Sequence, residues 1–251
     1  KVPGIPVITS SEVAPEYREY ERFSTAVVNA SLSPIISTYL TNLAKEVKHI
    51  GIPNPILVMQ SNGGVGSIDV VIAKPVTMVE SGPAAGVISS AYLGKILGVQ
   101  NLISFDMGGT TAKAGLIRNS SPEVVPEYEV GGKVHSGRSV RGSGYPVRSP
   151  LIDLAECSSG GGTIAWLDAS GGVNVGPISA GADPGPVCYG LGGTNPTISD
   201  AELVLGRLNP TSILGGTVKL FPDLAHDTIK FKLGEQIGMD VIEAALTIIE
   251  I

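Results

Sequence analysis

The sequence predicts an α/β protein, and three observations carry that expectation. The first 98 residues show helical periodicity, the texture from residue 99 changes to short apolar strands and glycine-rich loops, and helical spacing returns after Ser199. At 251 residues the chain is long enough to bury a sizeable core as one large domain or two modest lobes.

A first helix is expected from near Pro15, with Phe23, Val27 and Val28 on one side. A separate amphipathic helix is expected where Ser33 can cap, Pro34 suits the first helical position, and Ile36, Leu40, Leu43, Val47 and Ile50 recur at i+3 and i+4 until Gly51. The run ILVMQ (56–60) reads as a short buried strand broken by SNGG. The next helix runs from about Pro83 to Leu97, capped by Ser81 and closed by Gly98, with Ala84, Ala85, Gly86, Ser89, Ser90 and Ala91 crowding its face. Small residues let backbones approach closely, so this helix is expected to lie against another element.

Beyond residue 99, LISF and AKAGLI flank DMGGTT as buried strands, and IAWLD and VNV are joined by ASGG, a hairpin signature. Helices follow in DAELVLGRL after Ser199, in a stretch spaced by Ala225, Ile229, Leu233 and Ile237, and from Asp240. Residues 131–150 and 176–196 are rich in Gly, Pro and Ser, and long loops in compact domains are more often functional than idle.

The formal charge of -6 is thinly spread and offers no basic stripe for phosphate backbones, so nucleic acid is not an expected partner. No run approaches the roughly 20 apolar residues of a spanning helix, and no membrane association is expected. Cys157 and Cys188 lack CxxC spacing, which argues against a disulfide framework or structural zinc and fits a reducing cytoplasm. The chain starts at Lys1 and reads as a piece of a longer protein, with oligomeric state left open and a homo-oligomer compatible.

The chemistry is concentrated in NLISFDMGGTTAK (101–113). A strand running into a Gly-Gly turn permits positive φ and leaves room for a ligand beside the main chain, so successive N–H groups can form an anion-binding concavity. Thr110 and Thr111 add hydroxyl donors, and Asp106 at the strand tip is placed to hold a hydrated divalent cation bridging phosphate oxygens. From these residues alone, a tight hairpin whose Asp caps the turn fits equally well. A P-loop does not, since GxxxxGK[ST] is missing and a strand follows.

Other reactive side chains have plainer readings. His49 sits at a helix C-terminus, where partial positive charge suits the dipole. His135 lies in the glycine-rich loop with Lys133, Arg138 and Arg141, and His226 belongs to a surface pattern. Cys157 has no base placed beside it, which favours a buried inert thiol. Asp153 and Glu156 fall on opposite faces of a strand and cannot share a metal.

The blocks EYERFSTAVVNASLSP, VMQSNGG, PVTMVESGPAAG, FDMGGTTAK, SAGADPGPVCYG and TISDAELVLGRLNP together resemble the hydantoinase A and 5-oxoprolinase family, whose relatives include the acetone carboxylase type of subunit. The resemblance runs from about Pro6 to the C-terminus. It implies ribonuclease-H-like (actin-like ATPase) lobes with mixed sheets flanked by helices, of the actin, sugar kinase and heat-shock chaperone superfamily. Residues 1–98 would finish the first lobe with its linking helix, and 99–251 would form most of the second.

By that resemblance Asp106 is the metal-water aspartate of the second phosphate hairpin, Gly108, Gly109, Thr110 and Thr111 are its phosphate-contacting turn, and ATP with Mg²⁺ is the cofactor. Gly160, Gly161 and Gly162 match a glycine-rich segment that lets backbone approach the nucleotide or lets strands pack closely; a loop needing unusual dihedrals fits them equally. The loop from Ser179 to Tyr189 is shared by the family and reads as structural. Two departures stand out: Lys113 where many members carry an aspartate, and Ser158 and Ser159 before the triple glycine.

The implied function is that of an ATP-dependent hydrolase opening a cyclic amide or imide of the hydantoin or 5-oxoproline type through a phosphorylated intermediate. A hydantoinase B type subunit or domain is the implied partner. The alternatives are a carboxylase subunit of the acetone or acetophenone type and a nucleotide-gated regulatory module. Family chains begin with another phosphate hairpin that residues 1–98 lack, so weak nucleotide binding and no turnover are expected of this chain alone.

Overall fold

A computed structural model describes residues 7–131, 134–135, 138–139, 142–157, 159–211 and 219–251. The side chains of His135, Arg138 and Cys157, and the whole of Lys133, Arg141 and Ser158, lie outside the described residues. The chain divides into two compact units. One comprises residues 1–106, 113–135 and 139–155, and the other 107–112, 136–138 and 156–251.

In the first unit a one-turn helix, α1 (Ser10–Val13), precedes α2 (Glu19–His49), which runs for 31 residues with Pro34 inside it. The two helices expected on either side of Ser33 are therefore one. Ser33 does not cap; its hydroxyl donates to the Asn29 carbonyl at 2.9 Å, and the hydroxyls of Ser31 and Thr38 donate to Val28 and Pro34. Tertiary contacts override the proline break: Asn29 is fully buried and its Oδ1 accepts the Val76 amide at 3.1 Å, while the Thr25 hydroxyl accepts the Arg148 amide at 2.8 Å. The helix buries Ser24, Thr25, Ala26, Asn29 and Leu40, and leaves the expected apolar face of Phe23 and Val27 exposed.

The SNGG turn joins β1 (Leu57–Met59) to β2 (Val65–Ser67), and α3 (Ile68–Ala73) follows. Buried Ser61 fixes the next loop, its amide and hydroxyl both donating to the Thr77 carbonyl and its hydroxyl also lying within reach of the Val79 carbonyl. That loop delivers Glu80, whose φ of 61° is left-handed although it is not glycine, to the N-cap position of α4 (Ser81–Leu97); the expected cap, Ser81, is instead the first helical residue, and no side chain caps this end. Gly98 closes the helix at φ 72°, as expected.

Helix α4 packs on a sheet ordered β5 (Leu154–Cys157), β4 (Ala112–Arg118), β3 (Leu102–Met107), in which the short strand Ser121–Pro122 also pairs with β4. Ala84, Val87 and Ala91 bury against Ile117 and Ile152, each large apolar side chain contributing about 1.5–3 kcal/mol. Glycines at 94 and 115 make this close approach possible, since a β-carbon there would collide with Leu102 and with Val87 respectively. The expectation that small residues press this helix onto another element is met. Strand β3 differs from expectation: the helix covers one face, and Ile103 and Phe105 on the other are 72% and 68% exposed.

In the second unit, β6 (Thr163–Leu167) pairs antiparallel with β7 (Val173–Ser179). Asp168 closes the expected hairpin by accepting from the amides of Ser170 and Gly172 and from the side chains of Ser170 and Asn174. These donors hold its carboxyl down at about 2. Helix α5 (Ile198–Val204) is capped by Thr197 in a capping box with Asp200. Beyond it lie α6 (Pro222–Ile229), a π-turn (Lys230–Gly234), α7 (Glu235–Ile237) and α8 (Val241–Glu250), the last capped by Asp240 with Glu243. Ala225 belongs to one apolar core; Ile229 and Leu233 join Ala165, Ala201, Ala244, Ala245 and Ile248 in another.

Candidate functional site

The hairpin between β3 and β4 belongs to the second unit. The Gly108 amide closes it onto the Thr111 carbonyl at 2.9 Å. The Gly108 carbonyl accepts from Gly161 at 3.0 Å, and the Gly109 carbonyl accepts from Gly162 at 2.7 Å and from the Ser179 hydroxyl at 3.3 Å. The turn is therefore held by its oxygens. Among the described residues, the amides of Gly109, Thr110 and Thr111 have no hydrogen-bond acceptor.

The glycines of this turn are not explained by the fold. Neither Gly108 nor Gly109 has a positive φ, contrary to expectation, and a β-carbon on them would meet nothing closer than 3.6 Å and 3.8 Å. Both residues and Thr110 are exposed.

The triple glycine behaves in the opposite way. None of the three has a positive φ, so unusual dihedrals do not account for them. A β-carbon on Gly160 would lie 2.6 Å from the Thr110 carbonyl carbon, and one on Gly162 2.8 Å from the Gly109 carbonyl oxygen. Their amides are all engaged, Gly160 with the Thr163 hydroxyl at 2.8 Å and the other two with the hairpin. Close backbone packing is the reason for glycine here, and these amides are not free to donate to a nucleotide.

The loop after β7 is tied to the same segment. Ala180 donates to Gly162 at 2.7 Å, and Ser199 donates to Gly161 at 2.8 Å. Farther along, the buried Asp200 carboxylate accepts from the amides of Val187, Cys188 and Thr197 and from the Thr197 hydroxyl, at 2.7–3.2 Å. This gives the Ser179–Tyr189 loop its structural role. Burial, then the Asp200 carboxylate, push the Cys188 thiol above the usual thiol range, so it is no nucleophile. Sequence reasoning missed Asp200 as an anchor, although the T-x-x-D spacing before an apolar run signals it.

In the first unit, exposed Asp106 lies on the lining of a cavity of about 250 Å³. One helical stripe of α4, Pro83, Gly86, Val87 and Ser90, forms one wall, and Ser104 and Lys113 stand on the sheet opposite. The Lys113 side chain is mostly buried and forms an ion pair with Glu80, a pairing no sequence motif announced. Burial, then Glu80, raise the Tyr128 phenol, whose oxygen has no hydrogen-bond partner among the described residues.

The remaining candidates are not brought together. His226 is half-exposed beside Asp227, and His49 ends α2. No group of three His, Cys, Asp or Glu able to hold a metal exists among the described residues, and no described helix is long and apolar enough to cross a membrane.

Residues 22–251 match the family model for hydantoinase/oxoprolinase. The chain is 56% identical to an uncharacterized protein of Methanocaldococcus jannaschii and 38% identical to the caprolactamase alpha subunit of Pseudomonas jessenii, over 99% of its own length in both cases. It spans about a third of these relatives, 36% and 34%. The nucleotide-free structure of an ATP-dependent acetone carboxylase superposes on 96% of the chain with a TM-score of 0.78 at 29% identity, covering 32% of that protein. The expected α/β architecture is the one these proteins share, and the chain belongs to the hydantoinase/oxoprolinase family.

Proposed function

We propose that this chain is the hairpin-bearing central part of an ATP-dependent enzyme that opens a cyclic amide or imide of the hydantoin or 5-oxoproline type. One observation carries the reading: two glycines that neither dihedral nor packing requires stand in a turn with three successive backbone donors lacking an acceptor among the described residues. Space and donors of that kind suit a polyphosphate.

The donor set fits magnesium only as a phosphate-bound ion. Asp106 is one carboxylate without a metal-ligating cluster around it among the described residues, so it would hold magnesium only as an ion that arrives with the phosphates. Magnesium ATP bound there supplies the phosphoryl group that makes a stable ring carbonyl a better electrophile. The amides of Gly109, Thr110 and Thr111 and the two threonine hydroxyls bind and orient the phosphates. Gly160, Gly161 and Gly162 hold the hairpin, and Asp106 would be the residue that holds the hydrated metal.

The likeness to acetone carboxylase favours a second reading, in which the same phosphate site activates substrates for carboxylation. The relatives include subunits of larger enzymes, which supports a partner subunit, and we propose one of the hydantoinase B type. A coupled assay on the longer protein with that partner tests the proposal. Release of ADP matched to ring opening supports it; bicarbonate-dependent ADP release without ring opening transfers the case to the carboxylase; nucleotide binding without product points to a gating module.

A further inference from the structure

We infer that the 250 Å³ cavity between α4 and the sheet receives the carbonyl substrate, and that the Glu80–Lys113 pair selects an uncharged ring over one bearing a carboxylate. This rests on the function proposed above and narrows its substrates to uncharged rings, away from the 5-oxoproline type.

Size comes first. The cavity is smaller than the roughly 300–1,000 Å³ of sites for drug-sized ligands, so it suits a compact ring and not a nucleotide. Pro83, Val87 and Leu154 supply apolar walls for ring methylenes, and Ser90 places a hydroxyl among them. The stripe of α4 that faces this space is small at Gly86, where a β-carbon would meet nothing within 4 Å.

Charge decides the rest. Lys113 is the only cation among the described lining residues, its side chain is 12% exposed, and its charge is matched by Glu80. The other charged group on the lining is Asp106. A ligand carboxylate would enter against the Asp106 carboxylate with no unmatched cation on the described lining, and bringing an unpaired charge out of water is unfavourable. An uncharged amide or imide meets no such penalty, and its carbonyl oxygen is an acceptor suited to an ammonium donor.

Glu80 is held for this purpose by its surroundings. It adopts a left-handed backbone that non-glycine residues rarely take, and Ser61 fixes the loop delivering it. Such strain persists where the structure over-determines a residue, and functional sites are where it concentrates.

The test is calorimetric titration of the full chain with ε-caprolactam and with 5-oxoproline, alongside magnesium ATP. Wild type is expected to bind caprolactam at least tenfold more tightly than 5-oxoproline. Gly86→Leu, which fills open space on a helix, should weaken caprolactam binding at least tenfold and leave magnesium ATP binding unchanged. Glu80→Gln, by removing a carboxylate beside the cavity, should raise affinity for 5-oxoproline, a gain that misfolding cannot imitate. Equal affinities in wild type, no caprolactam binding, or indifference to Gly86→Leu would overturn the inference. Failure of wild type to bind magnesium ATP would instead sink the proposed function, with the two ring probes still reporting on the cavity.

Discussion

Gly160 approaches Thr110 so closely that a β-carbon on it would lie 2.6 Å from the Thr110 carbonyl carbon and 2.7 Å from its amide nitrogen. Backbone cannot yield as a flexible side chain does. Gly160→Ala is therefore expected to destabilise the protein by about 2 kcal/mol or more, in the range of overpacked cores. Urea unfolding measures it, and an unchanged midpoint would show that the two segments are not in contact.

Asp200 anchors a different part of the same unit. Its carboxylate accepts three amides and one hydroxyl in a fully buried setting. Hydrogen bonds to a charged group contribute about 1.5–3 kcal/mol each, and their loss leaves buried donors unsatisfied. Asp200→Ala should cost roughly 3 kcal/mol or more and expose the loop around Val187 and Cys188 to hydrogen exchange. Retained protection there would refute the anchor.

Asp168 makes stability depend on pH. Hydrogen bonds from Ser170, Gly172 and Asn174 lower its carboxyl from 3.8 to about 2. A depressed folded value means that the stabilisation is complete above the unfolded value and disappears as pH falls from about 4 to about 2. Asp168→Asn should flatten the loss of stability across that window, and an identical acid limb in both proteins would contradict the assignment.

Pro34 stands exposed inside α2, where it cannot donate the helical hydrogen bond. Pro34→Ala should stabilise the protein by about 1–3 kcal/mol, since proline costs about 3 kcal/mol in a helix interior. A lowered melting temperature would mean that the proline shapes a bend the packing needs.

That same proline shows where sequence reasoning reached its limit. Ser-Pro before an apolar run reads as a helix start, yet the buried Asn29 and Thr25 bind Val76 and Arg148 from distant parts of the chain, and no local pattern reveals such contacts. Helix α4, the β6–β7 hairpin and the Asp240 cap were legible because their signals are local. The apolar run of β3 announced burial but not that only one face is covered. At the site, the Gly-Gly turn and Asp106 were legible as a motif. The service of Gly161 and Gly162 as a clamp on its carbonyls, and the pairing of Lys113 with Glu80, became visible only once the strands were placed.

The central claim is that the Gly108–Thr111 turn keeps its glycines for a ligand and not for the fold. Titration of magnesium ATP against wild type and Gly108→Ala tests it most directly, because a β-carbon there meets no protein atom closer than 3.6 Å. We expect weak binding by the wild-type chain, at least a tenfold loss in the variant, and thermal stability unchanged within about 0.5 kcal/mol. Equal affinities for the two proteins would contradict the account.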